Sequence, residues 1–459
     1  MIKLMSELNK LEQYIISKKD KIQISSKDIK VGDIFLALKG KRFHGNKFIS
    51  EAINKGARYC VTDKKNFKEN KKIVYVNNIY NYLSEIAIRK RDLYKGKVIG
   101  ITGSAGKTTL KETLAFFLKK DHTISYSKKS YNNKLGVLIS LLNLNLKSNF
   151  AIFEIGTNNF GEIKFLSNIV RPSDIFITNI QSTHLENFQT KNNIAREKAD
   201  IFISKHNNNR QNLYLNVSSK SENILITKAK KEKNLKIIRI DNSSKKYFIK
   251  KISPIKKFYK VTLSINKKQI KIITDLVVMH RLNNLLFCLA FYNENSLNIK
   301  SVLNRFKFLK PVEGRGLVHK ISLNKKKINI IDESYNANPD TMIQSIQNLK
   351  NIKINNNKKI IILGTMNELG NNSYKIHDKL IKQLDDTIFK FVILCGEFFE
   401  LSIKKFFNPN NEFIYFKNTN KIMQFLEEKV HNNDIILIKC SNSTKINKFA
   451  KTLLKQVSI

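Results

Sequence analysis

"VIGITGSAGKTTLKE", residues 98–112, decides how the rest of the chain is read. It opens in an apolar strand ("KVIGIT"), turns through glycine ("GSAGK") and continues as a helix with apolar positions at Leu110, Leu114 and Leu118. A strand that turns sharply into a helix aims backbone N–H groups and the positive end of the helix dipole at one spot, which suits an anion. The common phosphate-loop spacing, G-x-x-x-x-G-K-[ST], asks for glycine where this chain has Ile101. Gly103 lies three residues before Gly106, so the loop is shorter rather than broken. Gly103, Ser104, Ala105, Gly106, Lys107, Thr108 and Thr109 form the expected nucleotide-binding run. Lys107 is set to reach the terminal phosphates, and Thr108 to offer a hydroxyl to Mg2+.

Outward from this loop, "FAIFEIG" and "DIFITNI" are further apolar strands that alternate with helical patterns. That alternation predicts an α/β unit with a mostly parallel sheet, bounded before "KVIGIT" by the polar "RKRDLYKG". Residues before it hold short strand-like runs ("DIFLAL", "KIVYV") behind an amphipathic helix with Ile2, Met5, Leu8, Leu11 and Ile15 on one face. After "PVEGRG", the runs "INIIDE", "KIIILG", "FVILCG" and "DIILIKC" predict a Rossmann-like unit. The expected class is α/β with three domains: 1–95, 96–310 and 311–459.

Composition narrows the function. No stretch approaches the ~18 continuous apolar residues of a membrane helix, and the N-terminus lacks the unbroken apolar core of a signal peptide. A cytoplasmic address and no membrane insertion are the expectation. Cys60, Cys288, Cys395 and Cys440 are far apart with no C-x-x-C pair, and read as buried small hydrophobes. The net charge of +46 comes from lysine spread through every region alongside abundant Asn and Ile. That is no localised nucleic-acid footprint, so no nucleic-acid partner is expected, although a basic surface attracts phosphorylated substrates.

Three further residues stand where ligands collect. Glu154 ends the strand "FAIFE"; alone it reads equally as a solvated carboxylate, but beside a phosphate loop the reading as a Mg2+ ligand is favoured. His184 follows the strand "DIFITNI"; a lone loop histidine is usually structural, but carboxyl ends of parallel strands gather ligands. Lys198, in the helical run "IAREKADIF", has by itself only the pattern of a surface lysine with a buried stem.

Taken in order, "TGSAGKTT", "EIGTNNFGEI", "TNIQSTHLENF" and "AREKADIF" resemble the Mur ligase family, ATP-dependent amide-forming enzymes of peptidoglycan synthesis. The family's loop, T-G-x-x-G-K-[ST]-[ST], accounts for Ile101. "DESYNANPDTM" (332–342) and "LGTMNELG" (363–370) resemble the branch that adds D-alanyl-D-alanine, and "VGDIFLALKGKRFHGNKFISEAINKGARYCV" resembles its uridine-nucleotide domain. The resemblance covers essentially the whole chain. It implies ATP, D-Ala-D-Ala and UDP-N-acetylmuramoyl-tripeptide (UDP-MurNAc-tripeptide) as substrates, two Mg2+ ions, and a monomer. It assigns Thr108 and Glu154 to a first metal and His184 to a second, with Lys198 carbamylated beside them and Lys107 on the phosphates. It places His280, Asn284, Arg315, Asp332, Asn336 and Asn338 around the nucleotide. Ser26, Lys39, Gly40, Thr157 and Asn158 fall to the uridine-peptide substrate.

The chain departs from the family pattern at Leu138, Arg281, Thr365, Cys440 and Asn442, where relatives have proline, asparagine, aspartate, glycine and arginine. Alternatives are a sister ligase adding the third amino acid, a folate-type polyglutamate synthase, and a basic P-loop protein acting on nucleic acid. The uridine-type N-terminal segment and "SYNANP" argue against the first two. The third predicts steeply salt-dependent DNA or RNA affinity.

Overall fold

The computed structural model describes residues 2–40, 43–65, 70–127, 130–203, 210–216, 220–241, 244–255, 258–274, 279–352, 354–355, 358–384, 388–406 and 413–456. Of residues 2–5, 220, 279–280, 404–406 and 456 it describes the backbone alone. Three α/β domains follow one another. The expected N-terminal helix runs Ile2–Ser17 and buries Leu11 and Ile15; the side chains of Ile2 and Met5 lie outside the described residues. It packs beside a four-stranded parallel sheet of Ile22–Gln23, Ile34–Leu36, Tyr59–Thr62 and Ile73–Tyr75.

The central sheet has six parallel strands. From one edge they are Leu235–Arg239, Gln211–Leu215, Asp174–Ile177, Lys97–Thr102, Phe150–Glu154 and Ile124–Tyr126. The chain leaves Lys97–Thr102 towards one edge, returns to pair with it at Phe150–Glu154, then crosses to pair on its other side at Asp174–Ile177. The phosphate loop therefore lies where strand order reverses, and a crevice opens there at the carboxyl ends. Helices cover both faces, so Phe150–Glu154 and Asp174–Ile177 are buried at every position and read as apolar runs rather than alternations.

A three-stranded antiparallel sheet follows (Tyr247–Ile255, Phe258–Ile265, Lys268–Thr274), and an antiparallel hairpin (Leu317–Leu323, Lys326–Glu333) opens the C-terminal domain. Neither was expected from the sequence. The tight turns at Asn266-Lys267 and Asn324-Lys325 have positive φ at both residues (47° and 72°; 45° and 64°). That is the geometry Asn-Gly signals in a sequence; here lysine takes the glycine place, and the signal is missing. The rest of the C-terminal sheet is parallel, in the order Lys326–Glu333, Ile435–Lys439, Lys359–Gly364, Phe391–Cys395 and Phe413–Tyr415. Four of these strands are the expected apolar runs. All four cysteines are buried, as expected. Among the described residues no helix is long and apolar enough to cross a membrane.

The N-terminal and central domains share one apolar core. Within it Lys90, on the helix Ile79–Leu93, is fully buried. Its ammonium donates to Ile15 O (2.8 Å), Lys18 O (2.6 Å) and Leu142 O (2.6 Å), carbonyls at the ends of the helices Ile2–Ser17 and Lys134–Leu142. Helix ends leave such carbonyls without partners, and their partial negative charge draws a cation. Burial pushes the Lys90 pKa down to about 7, while three carbonyl acceptors favour its charged form. Arg91 treats a third helix end likewise, donating to Val170 O (2.7 Å) and Arg171 O (2.9 Å). Lys90→Ala strands three carbonyls in the interdomain core and is expected to cost about 3 kcal/mol or more of stability, measured as a lowered urea midpoint.

Candidate active site at the junction of the central and C-terminal domains

The phosphate loop is held open by its neighbours. Gly103 has φ 144°, and a Cβ there would collide with Thr178 Oγ1; Gly106 has φ 81° and starts the helix Lys107–Leu118. Only glycine meets both demands without strain. Segment 178–181 anchors the loop: Thr178 Oγ1 donates to Ala105 O (2.6 Å), Ala105 N to Asn179 Oδ1 (2.9 Å), and Gln181 N to Ser104 Oγ (2.9 Å). Lys107 curls back so that its ammonium donates to Gly103 O at 2.7 Å. Burial pushes its pKa down, opposed by Glu154.

Thr108 and Glu154 meet in the cleft. Thr108 Oγ1 donates to Glu154 Oε2 at 2.8 Å and accepts from Arg315 Nη2 at 3.0 Å. Glu154 is 1% exposed. Its other oxygen accepts from Asn132 Nδ2 (2.7 Å), and the buried Lys111 ammonium lies 3.9 Å from Oε2. Two hard oxygen donors this close would suit Mg2+, an ion usually held by one or two carboxylates plus phosphates and water.

Lys198 is 2% exposed, and among the described residues no carboxylate lies within ion-pair distance of its ammonium. Burial pushes its pKa well below the ordinary value, and the charge of Lys107 pushes the same way. Beside it, Glu197 accepts from Gly161 N (2.8 Å), Ile163 N (2.9 Å) and Thr157 Oγ1 (3.3 Å), and so fixes the loop carrying Thr157 and Asn158. Those two line the same cleft as the phosphate loop. His184, at φ 51°, reaches across the junction: its Nδ1 pairs with Glu368 Oε2 at 2.6 Å. That hydrogen bond holds the Glu368 carboxyl below its ordinary pKa.

The cleft between the domains has a volume of about 500 Å³. From the C-terminal side come Arg315, whose guanidinium stacks 4.3 Å from the centre of the Tyr335 ring, and Asn336. Asn338 caps the helix Pro339–Lys350 and donates to Gln181 Oε1 at 3.3 Å. Asp332 is turned away: its carboxylate accepts from the backbone N–H and hydroxyl of Ser334. Its neighbour Glu333 faces the cleft instead and pairs with Lys439 (3.0 Å). Asn284 also lines an adjoining cavity of about 450 Å³ with Phe116, Arg281, Phe308 and Arg305. His280 lies in the first turn of the helix Met279–Glu294, and its side chain is outside the described residues. Ser26, Lys39 and Gly40 are in the N-terminal domain, not in the cleft lining; the Ser26 hydroxyl donates to Glu51 (2.8 Å).

The Mur ligase middle-domain family model matches residues 101–292, the Mur ligase glutamate-ligase-domain model residues 318–442, and the Mur ligase catalytic-domain model residues 20–91. UDP-N-acetylmuramoyl-tripeptide–D-alanyl-D-alanine ligase of Rickettsia prowazekii is 31% identical over 431 residues, 94% of each chain. The chain belongs to the Mur ligase family. In fold it is similar to MurF from Acinetobacter baumannii (TM-score 0.81, 23% identity, 95% of this chain and 93% of that one). It is likewise similar to the MurF ligase from Thermotoga maritima solved with ADP (TM-score 0.80, 24% identity, 96% and 98%). Where this member departs from the Mur ligase pattern, Leu138 and Cys440 are core residues, Asn442 is exposed, and Arg281 donates to Leu309 O (3.1 Å) in the interdomain link.

One residue that the sequence did not single out orders the Glu368 loop. His377 is fully buried; its Nδ1 faces Ser373 O (2.7 Å), which only accepts, and its Nε2 accepts from Met366 N (3.1 Å). The ring is therefore neutral with its proton on Nδ1. Burial pushes its pKa down to about 4. The unfolded chain takes up this proton near pH 6.5 and the folded chain near 4, so stability is full above pH 6.5 and falls on acidification, by about 3 kcal/mol at the low end. His377→Gln is expected to flatten that part of the stability–pH curve, read by denaturant titration between pH 4 and 7.

Proposed function

We infer that this chain is an ATP-dependent ligase that joins D-alanyl-D-alanine to UDP-MurNAc-tripeptide in peptidoglycan precursor synthesis, releasing ADP and phosphate. The observation that carries this reading is the end-to-end likeness to the Rickettsia ligase, whose name states the reaction. On it, residues 1–95 hold the uridine-peptide through Ser26, Lys39 and Gly40, residues 96–310 hold ATP, and residues 311–459 complete the site. The enzyme is a cytoplasmic monomer.

The chemistry runs in two steps. A tripeptide carboxylate oxygen attacks the γ-phosphorus, the bond to the bridging oxygen breaks, and ADP leaves. The amine of D-Ala-D-Ala then attacks the acyl-phosphate carbon, loses a proton and expels phosphate. Two anions must first be held together, and cations fixed in a dry site lower that barrier most. Lys107 uncurls from Gly103 O to the terminal phosphates, and Arg315 lies between them and Tyr335. Thr108 and Glu154 are the oxygen donors for Mg2+, which supplies neutralising charge when bound. Lys439, held by Glu333, supports the activated carboxyl from the C-terminal side. The cavity beside Asn284 and Arg281 takes the base, with Asn336 and Asn338 shaping the junction.

Burial beside Lys107 favours the uncharged amine of Lys198, the form that reacts with CO2. The amine nitrogen bonds the CO2 carbon and releases a proton; the resulting carbamate is an anion that offsets Lys107 and, with His184, would hold a second Mg2+. Lys198→Ala is expected to abolish ligation with an unchanged unfolding midpoint, and short carboxylic acids restore part of it; full activity in that variant contradicts the carbamate. The reaction itself is tested by mass spectrometry after incubation with Mg2+, ATP and both peptides. A UDP-linked product heavier by D-Ala-D-Ala less one water is expected. ATP turnover indifferent to both peptides, or stimulated only by nucleic acid, overturns the reading.

A further inference from the structure

We propose that Asp340 latches the C-terminal domain onto the central domain and so positions the cleft for ligation. Its carboxylate crosses the junction with both oxygens engaged: Oδ2 accepts from Ser182 N at 2.8 Å, and Oδ1 pairs with Lys191 Nζ at 2.8 Å. Its own helix does not need it. The start of Pro339–Lys350 is already satisfied by Asn338 and Thr341, which cap each other's backbone N–H. The two partners bracket the chemistry. Ser182 lies two residues before His184, and Lys191 opens the helix Lys191–Ala199, which carries Lys198. One carboxylate of the C-terminal domain therefore sets the place of two residues assigned to the second metal.

The latch works against charge. Both domains are net basic, and their long-range repulsion opposes closure. Asp340 and Lys191 put opposite charges in contact across that boundary. The pair is partly exposed (31% and 40%), so salt weakens it; the bond to Ser182 N is to an uncharged donor and is less sensitive to salt. Arg315 on Thr108 and His184 on Glu368 also cross the junction, through residues already assigned to ligands, and Leu185 packs against the C-terminal core. Asp340 is a positioning residue with no claim on the reacting atoms. Its part in ligation rests on the function proposed above, whereas the latch itself does not.

The test uses the full-length chain as wild type, D340N, K191M, D340N/K191M and the exchange D340K/K191D. Small-angle scattering with and without MgADP reads compaction, and steady-state kinetics read kcat and KM. Each single variant is expected to be less compact than wild type and to lose about tenfold in kcat, with KM for UDP-MurNAc-tripeptide unchanged. The double variant is expected to be no worse than either single one, and the exchange to regain part of both losses. Singles as compact and as fast as wild type, single losses that multiply in the double variant, or a lowered melting temperature with wild-type compaction would each overturn the latch. If D340N does not fold, K191M alone carries the same comparison. A wild-type chain that is more compact than its variants but makes no ligated product refutes the ligase reading and leaves the latch standing.

Discussion

Positive charge held away from water is the constraint on which this site depends. Lys107, Lys111 and Arg315 gather around the buried carboxylate of Glu154 and its partner Thr108, Lys198 lies near Lys107, and Lys111 and Lys198 are almost wholly buried themselves. An uncompensated buried cation is expensive. The chain meets part of that cost with carbonyls: Gly103 O for Lys107 and Ser127 O for Lys111. The remainder is met by depressing the pKa of Lys198. A cleft biased this strongly towards positive charge is most stable when it holds anions, which fits a triphosphate lying against a carboxylate.

The scaffold puts that charge where it does for reasons of sheet order. The reversal at Lys97–Thr102 opens the crevice, and segment 178–181 clamps the loop into it. The N-terminal domain is fixed to this scaffold by a shared apolar core and by hydrogen bonds from Lys90 and Arg91, whereas the C-terminal domain meets it through polar and charged contacts over the cleft and the packing of Leu185. A rigid dock on one side and a breakable one on the other is the arrangement that lets a site open for substrates and close over an intermediate that water destroys.

Much of this was legible in the sequence because its strands are buried on both faces and so read as unbroken apolar runs. The phosphate loop was legible because glycine has no substitute at Gly103 or Gly106. The antiparallel pairings were missed in part because Asn-Lys takes the place of Asn-Gly in the turns at 266–267 and 324–325. Among site residues, local pattern marked Thr108 and Glu154 separately and only the family resemblance paired them; in the structure their side chains are hydrogen-bonded. It could not separate Asp332 from Glu333: adjacent strand residues point to opposite faces, and only tertiary structure shows that Glu333 faces the cleft. His377 and Asp340 act through partners 11 and 158 residues away in the chain, a distance at which a single sequence carries no signal.

The central claim is that this cleft brings a carboxylate to a terminal phosphate and passes one oxygen between them. It is tested most directly by making UDP-MurNAc-tripeptide with ¹⁸O in both oxygens of its terminal carboxylate, running the ligation to completion and weighing the released phosphate. One ¹⁸O atom in each phosphate is the predicted result, because the oxygen that attacks phosphorus leaves with it when the amine displaces phosphate. Phosphate with no ¹⁸O would show that the carboxylate never bonded to phosphorus and would contradict the account.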